Sequence, residues 1–177
     1  MKQVLNKPFR FVLILLTLIA LVLLLSRNSS AAPKTMSGKV VSVINGSTLE
    51  ILTSENEILL IKLKSVEAPE IDQEFGMEAK KYAIKFCLKK KVEVEIVGKD
   101  RKGNRLAIVK LQNGKMLNEH LVKMGLGWIN SSGEQQQALV EKLEIAKATN
   151  TGLWQSDEPV APWIYRRTQS MMRPKGL

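Results

Sequence analysis

Between Gly38 and Lys64 the chain is cut into three short apolar runs by turn signals, and this spacing limits the fold more than any other feature. Gly38-Lys-Val-Val-Ser-Val-Ile44 is rich in β-branched residues and stops at Asn45-Gly46, a turn dipeptide. Leu49–Thr53 and Ile58–Lys64 follow, separated by the polar Ser54-Glu55-Asn56-Glu57. The pattern predicts three strands in a meander. Pro69 ends the third, because proline has no amide to give to a ladder.

From Phe75 the period changes. Ala79, Tyr82, Ala83 and Phe86 recur at helical spacing, with Glu78, Lys80, Lys81, Lys85 and Lys89 on the opposite face. Val92-Glu-Val-Glu-Ile96 then alternates strictly, as a half-buried strand does. Asp100–Asn104 reads as a turn, and Leu106–Leu111 as a further strand closed by Asn113-Gly114. A short helix over Leu117–Met124 stops at Gly125, the favoured residue just past a helix end. Ser131 and Glu134 form a capping box for a last helix, with Leu139, Leu143 and Ala146 on one face and an end near Gly152. Five strands, a helix after the third and more helices at the end predict a closed β-barrel with helical cover, an α+β fold. The five-stranded OB-fold is the commonest barrel of this kind.

Composition narrows the chemistry. The chain has 177 residues, 45% hydrophobic and 25% charged, which excludes wholesale disorder and leaves room for one real core. Its single cysteine, Cys87, excludes an intramolecular disulfide framework and a cysteine-rich zinc module. Its single histidine, His120, excludes any site built on two imidazoles. Both read as packed side chains on helices rather than as reactive groups. The net charge of +10 suits a polyanion partner.

Four of the cations, Lys2, Lys7, Arg10 and Arg27, flank the fifteen-residue uncharged run Phe11–Leu25, leaving +6 for the remainder. That run reads as an export signal with its positive end in the cytoplasm. As a helix it spans roughly 22 Å, short of the ~30 Å hydrocarbon core yet tolerable with local thinning. Ser29-Ser30-Ala31 offers a cleavage site, so the leader is either a single-pass anchor or a removed signal. Either outcome places the domain outside the cytoplasmic membrane. The expected division is a leader and linker over 1–32, a domain over 33–167, and a basic tail over 168–177.

Several ordered motifs carry a resemblance. They are Val66-Glu-Ala-Pro-Glu70, then Asp100…Gly103…Leu106-Ala107, Asn113-Gly-Lys-Met-Leu-Asn-Glu119 and Leu121-Val-Lys-Met-Gly-Leu126. The ending Gly152-Leu-Trp154 with Pro162-Trp-Ile-Tyr-Arg166 completes the set. Together, from about Ser37 to Arg167, the chain resembles the thermonuclease, or staphylococcal-nuclease-like, domain. The resemblance implies an OB barrel with helices and calcium-dependent hydrolysis of phosphodiester bonds in single-stranded or loosened DNA and RNA. In such a site aspartates hold the calcium, a glutamate acts as general base on water, and two arginines clamp the phosphate.

At those positions this sequence departs from the family. The family's Asp-Gly-Asp-Thr turn is Asn45-Gly46-Ser47-Thr48 here, so Ser47 stands for a calcium-binding aspartate. Lys62 replaces the first arginine and loses its fork. Glu67 replaces a metal-binding aspartate, one methylene longer, and Glu70 matches the general base unchanged. Asn104 falls on the second arginine; Arg105, one residue on, is a possible substitute that extended chain would turn to the other face. The carry-over therefore places Glu67, Glu70 and Ser47 at a weakened or lost calcium site. Apart from the resemblance, the charge runs Lys89-Lys90-Lys91 and Lys99-Asp-Arg-Lys102 suit a nucleic-acid backbone, with Lys62 as a phosphate contact and Lys99, Arg101 and Lys102 as the nucleic-acid-binding candidates.

Blander readings stand beside these. Pro69-Glu70 can be a structural turn, Lys62 a barrel-surface lysine, and Lys89-Lys90-Lys91 a helix C-terminus that favours cations. Trp154, Trp163 and Tyr165 read as anchors for the C-terminal segment. Two function classes follow. The first is a nuclease-like domain with a degenerate site that binds single-stranded nucleic acid or a protein. The second is a weak metal-dependent endonuclease with Glu70 as base, needing calcium if the family site is retained.

Overall fold

The computed structural model describes residues 15–16, 34–130 and 137–172. The expected leader other than Leu15-Leu16, the Ser29–Ala31 motif, the Ser131–Glu134 capping box, and Arg173 and Lys175 lie outside them. Among the described residues no helix is long and apolar enough to cross a membrane.

Pro33–Leu177 forms a compact unit. Its strands among the described residues are β1 (Lys34–Asn45), β2 (Thr48–Thr53), β3 (Ile58–Leu63), β4 (Val66–Glu67), β5 (Lys91–Lys99), β6 (Arg105–Leu111) and β7 (Trp128–Ile129). Among the described residues of this unit the helices are α1 (Gly76–Cys87), α2 (Leu117–Lys123), α3 (Gln137–Ala148) and α4 (Pro162–Met172), with a 3₁₀ turn at Gly152–Gln155. Strands β1, β2, β3, β6 and β5 close into a barrel in that order. Every junction is antiparallel except β3 with β6.

The five-stranded barrel bears out the pattern read from the sequence, and closure depends on a part of β1 that the pattern did not reveal. β1 begins at Lys34, four residues before the predicted start at Gly38. Lys34–Lys39 pairs with β5, while Gly38–Asn45 pairs with β2. Register shifts after Val40 and Val43 bend the strand so that it serves both neighbours. Lys34-Thr-Met-Ser37 carries little apolar weight, so only its partner reveals it as a strand.

The inward positions alternate as expected. Val40, Leu49, Ile51, Ile61, Val92, Val94, Ala107 and Val109 are buried at 1% exposure or less. α1 covers the barrel with Ala79, Ala83, Phe86 and Cys87, and α2 with Leu117, Leu121 and Val122. Gly125 ends α2's turn with φ +61°. Cys87 is wholly enclosed, and burial pushes its thiol up to about 12. His120 Nδ1 lies 3.1 Å from the Tyr82 hydroxyl, and its ring packs on Phe86. Lys90 Nζ donates to the Lys85 and Phe86 carbonyls at the end of α1, so this part of the lysine run closes a helix.

The C-terminal segment differs from the prediction. α3 ends at Ala148 rather than near Gly152, and the expected tail boundary at 168 falls inside α4. Pro162 sits at the first helical position, where its missing amide costs nothing. Trp128 of β7 meets Trp154 at 4.9 Å and Trp163 at 6.0 Å between ring centroids, both edge-on. The Tyr165 hydroxyl donates to the Asp72 carbonyl. These contacts hold α4 beside the barrel rim.

Candidate functional site

Four chain segments and one helix converge on an open cleft of about 790 Å³. The β1–β2 turn supplies Asn45, Ser47 and Thr48; the end of β3 supplies Lys62 and Lys64. β4 supplies Glu67 and the segment after it Glu70, the β5–β6 turn supplies Asp100, Arg101 and Lys102, and α4 supplies Arg166.

Local packing sets each position. A Cβ on Gly46 would stand 2.6 Å from Ala68 Cβ and 2.7 Å from Ala79 Cβ, so only glycine lets this turn lie against α1. Ser47 is thereby buried, and its Oγ accepts the Ala68 amide at 3.1 Å. Asn45 Oδ1 accepts the Ser47 amide, folding back on its own turn. Thr48 pairs with Lys62 across β2 and β3, which brings this lysine beside the serine turn. Ser65, at φ 63°, turns the chain between Lys64 and Glu67. The Glu70 amide donates to Gln73 Oε1, and a Cβ on Gly76 would stand 1.7 Å from the Glu70 carbonyl oxygen. Glycine at 76 thus permits the tight return that presents Glu70.

The charges are paired in two sets. Lys62 Nζ lies 3.4 Å from Asp100 Oδ2. Asp100 also receives Asn104 Nδ2 at 2.8 Å and the Lys102 and Asn104 amides at 2.9 Å. The hydrogen bond from the Asn104 side chain, aided by those amides and Lys62, holds the Asp100 carboxyl down at about 2. In the second set, Arg166 Nη1 donates to Glu67 Oε1 and, at 2.6 Å, to Glu70 Oε1. Asn130 Nδ2 holds the other Glu67 oxygen at 3.3 Å. Burial pulls the Arg166 guanidinium down, but the two carboxylates raise it overall, so it stays charged.

Of the residues singled out from the sequence, Ser47, Lys62, Glu67, Glu70, Arg101 and Lys102 line the cleft together. Asn104, Arg105 and Lys99 stand outside its lining. Asn104 is committed to Asp100, and Arg105 pairs in register with Ile61 and Lys99 on the barrel wall. Arg166 is a lining residue to which the sequence reading gave no role, naming it as the end of the Pro162–Arg166 motif. Its signal was Ala161-Pro162, a proline opening a helix with an arginine one turn on.

A closed five-stranded barrel with a charged cleft on its rim, built from the β1–β2 turn, the Val66–Glu70 segment and the β5–β6 turn, defines an OB-type nuclease-like domain. The staphylococcal nuclease homologue (SNase) family model matches residues 60–156. A Haemophilus influenzae protein named "Uncharacterized endonuclease" is 31% identical over 89% of this chain and 87% of its own. An Escherichia coli O157:H7 protein of the same name is 30% identical over 73% and 84%. The rice protein "Probable staphylococcal-like nuclease CAN3" is 28% identical over 72% of this chain and 34% of its own length. The chain belongs to the SNase family.

That family is in general calcium-dependent. The residues present here do not fit the ion. Calcium takes six to eight oxygens, with carboxylates carrying the charge. The only carboxylates at the expected positions, Glu67 and Glu70, are both bound to Arg166. Ser47 Oγ and Asn45 Oδ1 already accept backbone amides. Among the described residues no group of three or more His, Cys, Asp or Glu side chains could hold a metal.

Proposed function

We propose that this domain binds single-stranded nucleic acid in the rim cleft and has lost efficient cleavage, and that its leader carries it outside the cytoplasmic membrane. The charge balance of the cleft supports the reading best. Five cations (Lys62, Lys64, Arg101, Lys102, Arg166) face three acids (Glu67, Glu70, Asp100), and all three acids are engaged in ion pairs. Lys64, Arg101 and Lys102 carry no ion pair among the described residues, which leaves them for phosphates. The loss of catalysis rests on Lys62 and Asn104, which stand where the family resemblance puts two phosphate-clamping arginines. Losing one such arginine costs roughly 10³–10⁵ in phosphoryl transfer, and losing one charge-stabilising donor roughly 10²–10³.

The second reading, a weak endonuclease with Glu70 as base, is favoured by the names of the relatives. A cleavage assay on denatured DNA with calcium or chelator, using the full chain in mild detergent, decides between them. The expected result is binding without turnover by the native chain, and calcium-dependent turnover only after Ser47→Asp, Lys62→Arg and Asn104→Arg together. Calcium-dependent cleavage by the native chain that disappears in Glu70→Gln establishes the second reading instead. No binding of single strands at low salt would sink the first.

A further inference from the structure

The cleft holds a cation to which the family resemblance assigns no role, although it ends the Pro162–Arg166 motif: Arg166. Glu67 and Glu70 touch the same guanidinium nitrogen, Arg166 Nη1, so a single positive centre sits between them. Arg166 comes from α4, an element the SNase family match at residues 60–156 does not reach. Its position is set by Trp163 against Trp128 and by Tyr165 on the Asp72 carbonyl. Nη1 is occupied, while Nε and Nη2 make no hydrogen bond among the described residues. That remaining edge is the bidentate, phosphate-matching side of the fork.

We infer that Arg166 is the phosphate-binding cation of this cleft, held by Glu67 and Glu70 in the place where a metal-dependent relative carries a divalent ion, so that ligand binding here is metal-independent. The two glutamates are positioning residues for the guanidinium. The charge arithmetic agrees: with Asn45 and Ser47 neutral, two carboxylates remain, and Arg166 occupies both, so neither is open to calcium in the native chain. An arginine also needs no dehydration of the kind a hard cation demands and cannot be stripped by a chelator. This inference rests on the proposal that the cleft takes nucleic acid, as far as the phosphate is concerned. The exclusion of calcium stands without it.

The test uses the full chain in mild detergent, with calcium chloride or chelator, and reads both thermal unfolding and the anisotropy of a labelled short oligothymidylate. The native protein is expected to melt at the same temperature and bind with the same affinity in both buffers. Arg166→Gln is expected to bind about tenfold more weakly in chelator, the loss of one charged hydrogen-bonding group. Its melting point is expected to rise with calcium, because the two carboxylates are vacated. Arg166→Lys, which keeps the charge without the fork, should bind more weakly yet stay insensitive to calcium, and carries the test if Arg166→Gln does not fold. A calcium-induced rise in the native melting point or affinity overturns the inference, as does native-like binding by Arg166→Gln in chelator. If the native protein binds no oligothymidylate, the nucleic-acid reading fails. The melting arm then still decides: no calcium response from Arg166→Gln overturns the metal-site claim, and a response sustains it.

Discussion

At the scale of single residues, the cleft shows how one exchange changes what its neighbours do. Asn104, at the position where the family resemblance expects an arginine, locks the β5–β6 turn by donating its side-chain amide to Asp100 at 2.8 Å. That bond is the largest reason the Asp100 carboxyl sits at about 2 rather than 3.8. Asn104→Ala is therefore expected to raise the Asp100 pKa toward 3.8, measured by carboxyl chemical shift against pH. The sign for stability follows from linkage. A depressed folded pKa contributes stability fully present above 3.8 and lost as pH falls toward about 2, and the variant should lose that dependence. The identities at Ser47, Lys62 and Asn104 were legible in the sequence through motif spacing. Their present partners were not, because a hydrogen bond between residues 62 and 100 depends on how two strands are laid side by side.

At the scale of elements, one buried polar side chain ties three of them together. Asn118 of α2 is 4% exposed. Its Oδ1 accepts the Val109 amide of β6 at 3.1 Å, and its Nδ2 donates to the carbonyls of Lys64, just past β3, and Ala107. Removing it leaves buried backbone groups without partners in a region where the parallel β3–β6 junction closes the barrel. Asn118→Ala is expected to cost about 2–4 kcal/mol, read as a lower urea midpoint with an unchanged slope. The strands and α1 and α2 were legible because alternation and helical spacing are local properties of the chain. The first half of β1 and the two-residue ladder of β4 with β7 were not. Their residues lack a strong pattern and are strands only because β5 and Trp128-Ile129 lie beside them. α4 was hidden for another reason: it carries little apolar weight overall and buries only Pro162, so it did not register as a core helix.

At the scale of the molecule, charge outweighs shape in deciding what the cleft can hold. Lys64, Arg101 and Lys102 line it without ion pairs among the described residues. If these three neutralise three phosphates of a single strand, the logarithm of affinity should fall against the logarithm of salt with a slope of about −2. Anisotropy of a labelled oligothymidylate across a salt series measures it, and neutralising all three residues should flatten the line. The sequence by itself determined the barrel, its helical cover, the family and the identities at Lys62 and Asn104, because periodicity, turn residues and motif spacing are all carried along one chain. The tertiary structure alone decided that Glu67 and Glu70 share Arg166, a residue 99 positions from the first and 96 from the second. No local signal encodes such a pairing. It arises because the Trp128 contact and the Tyr165 bond set α4 at the rim, and two neighbouring carboxylates there require a positive charge between them.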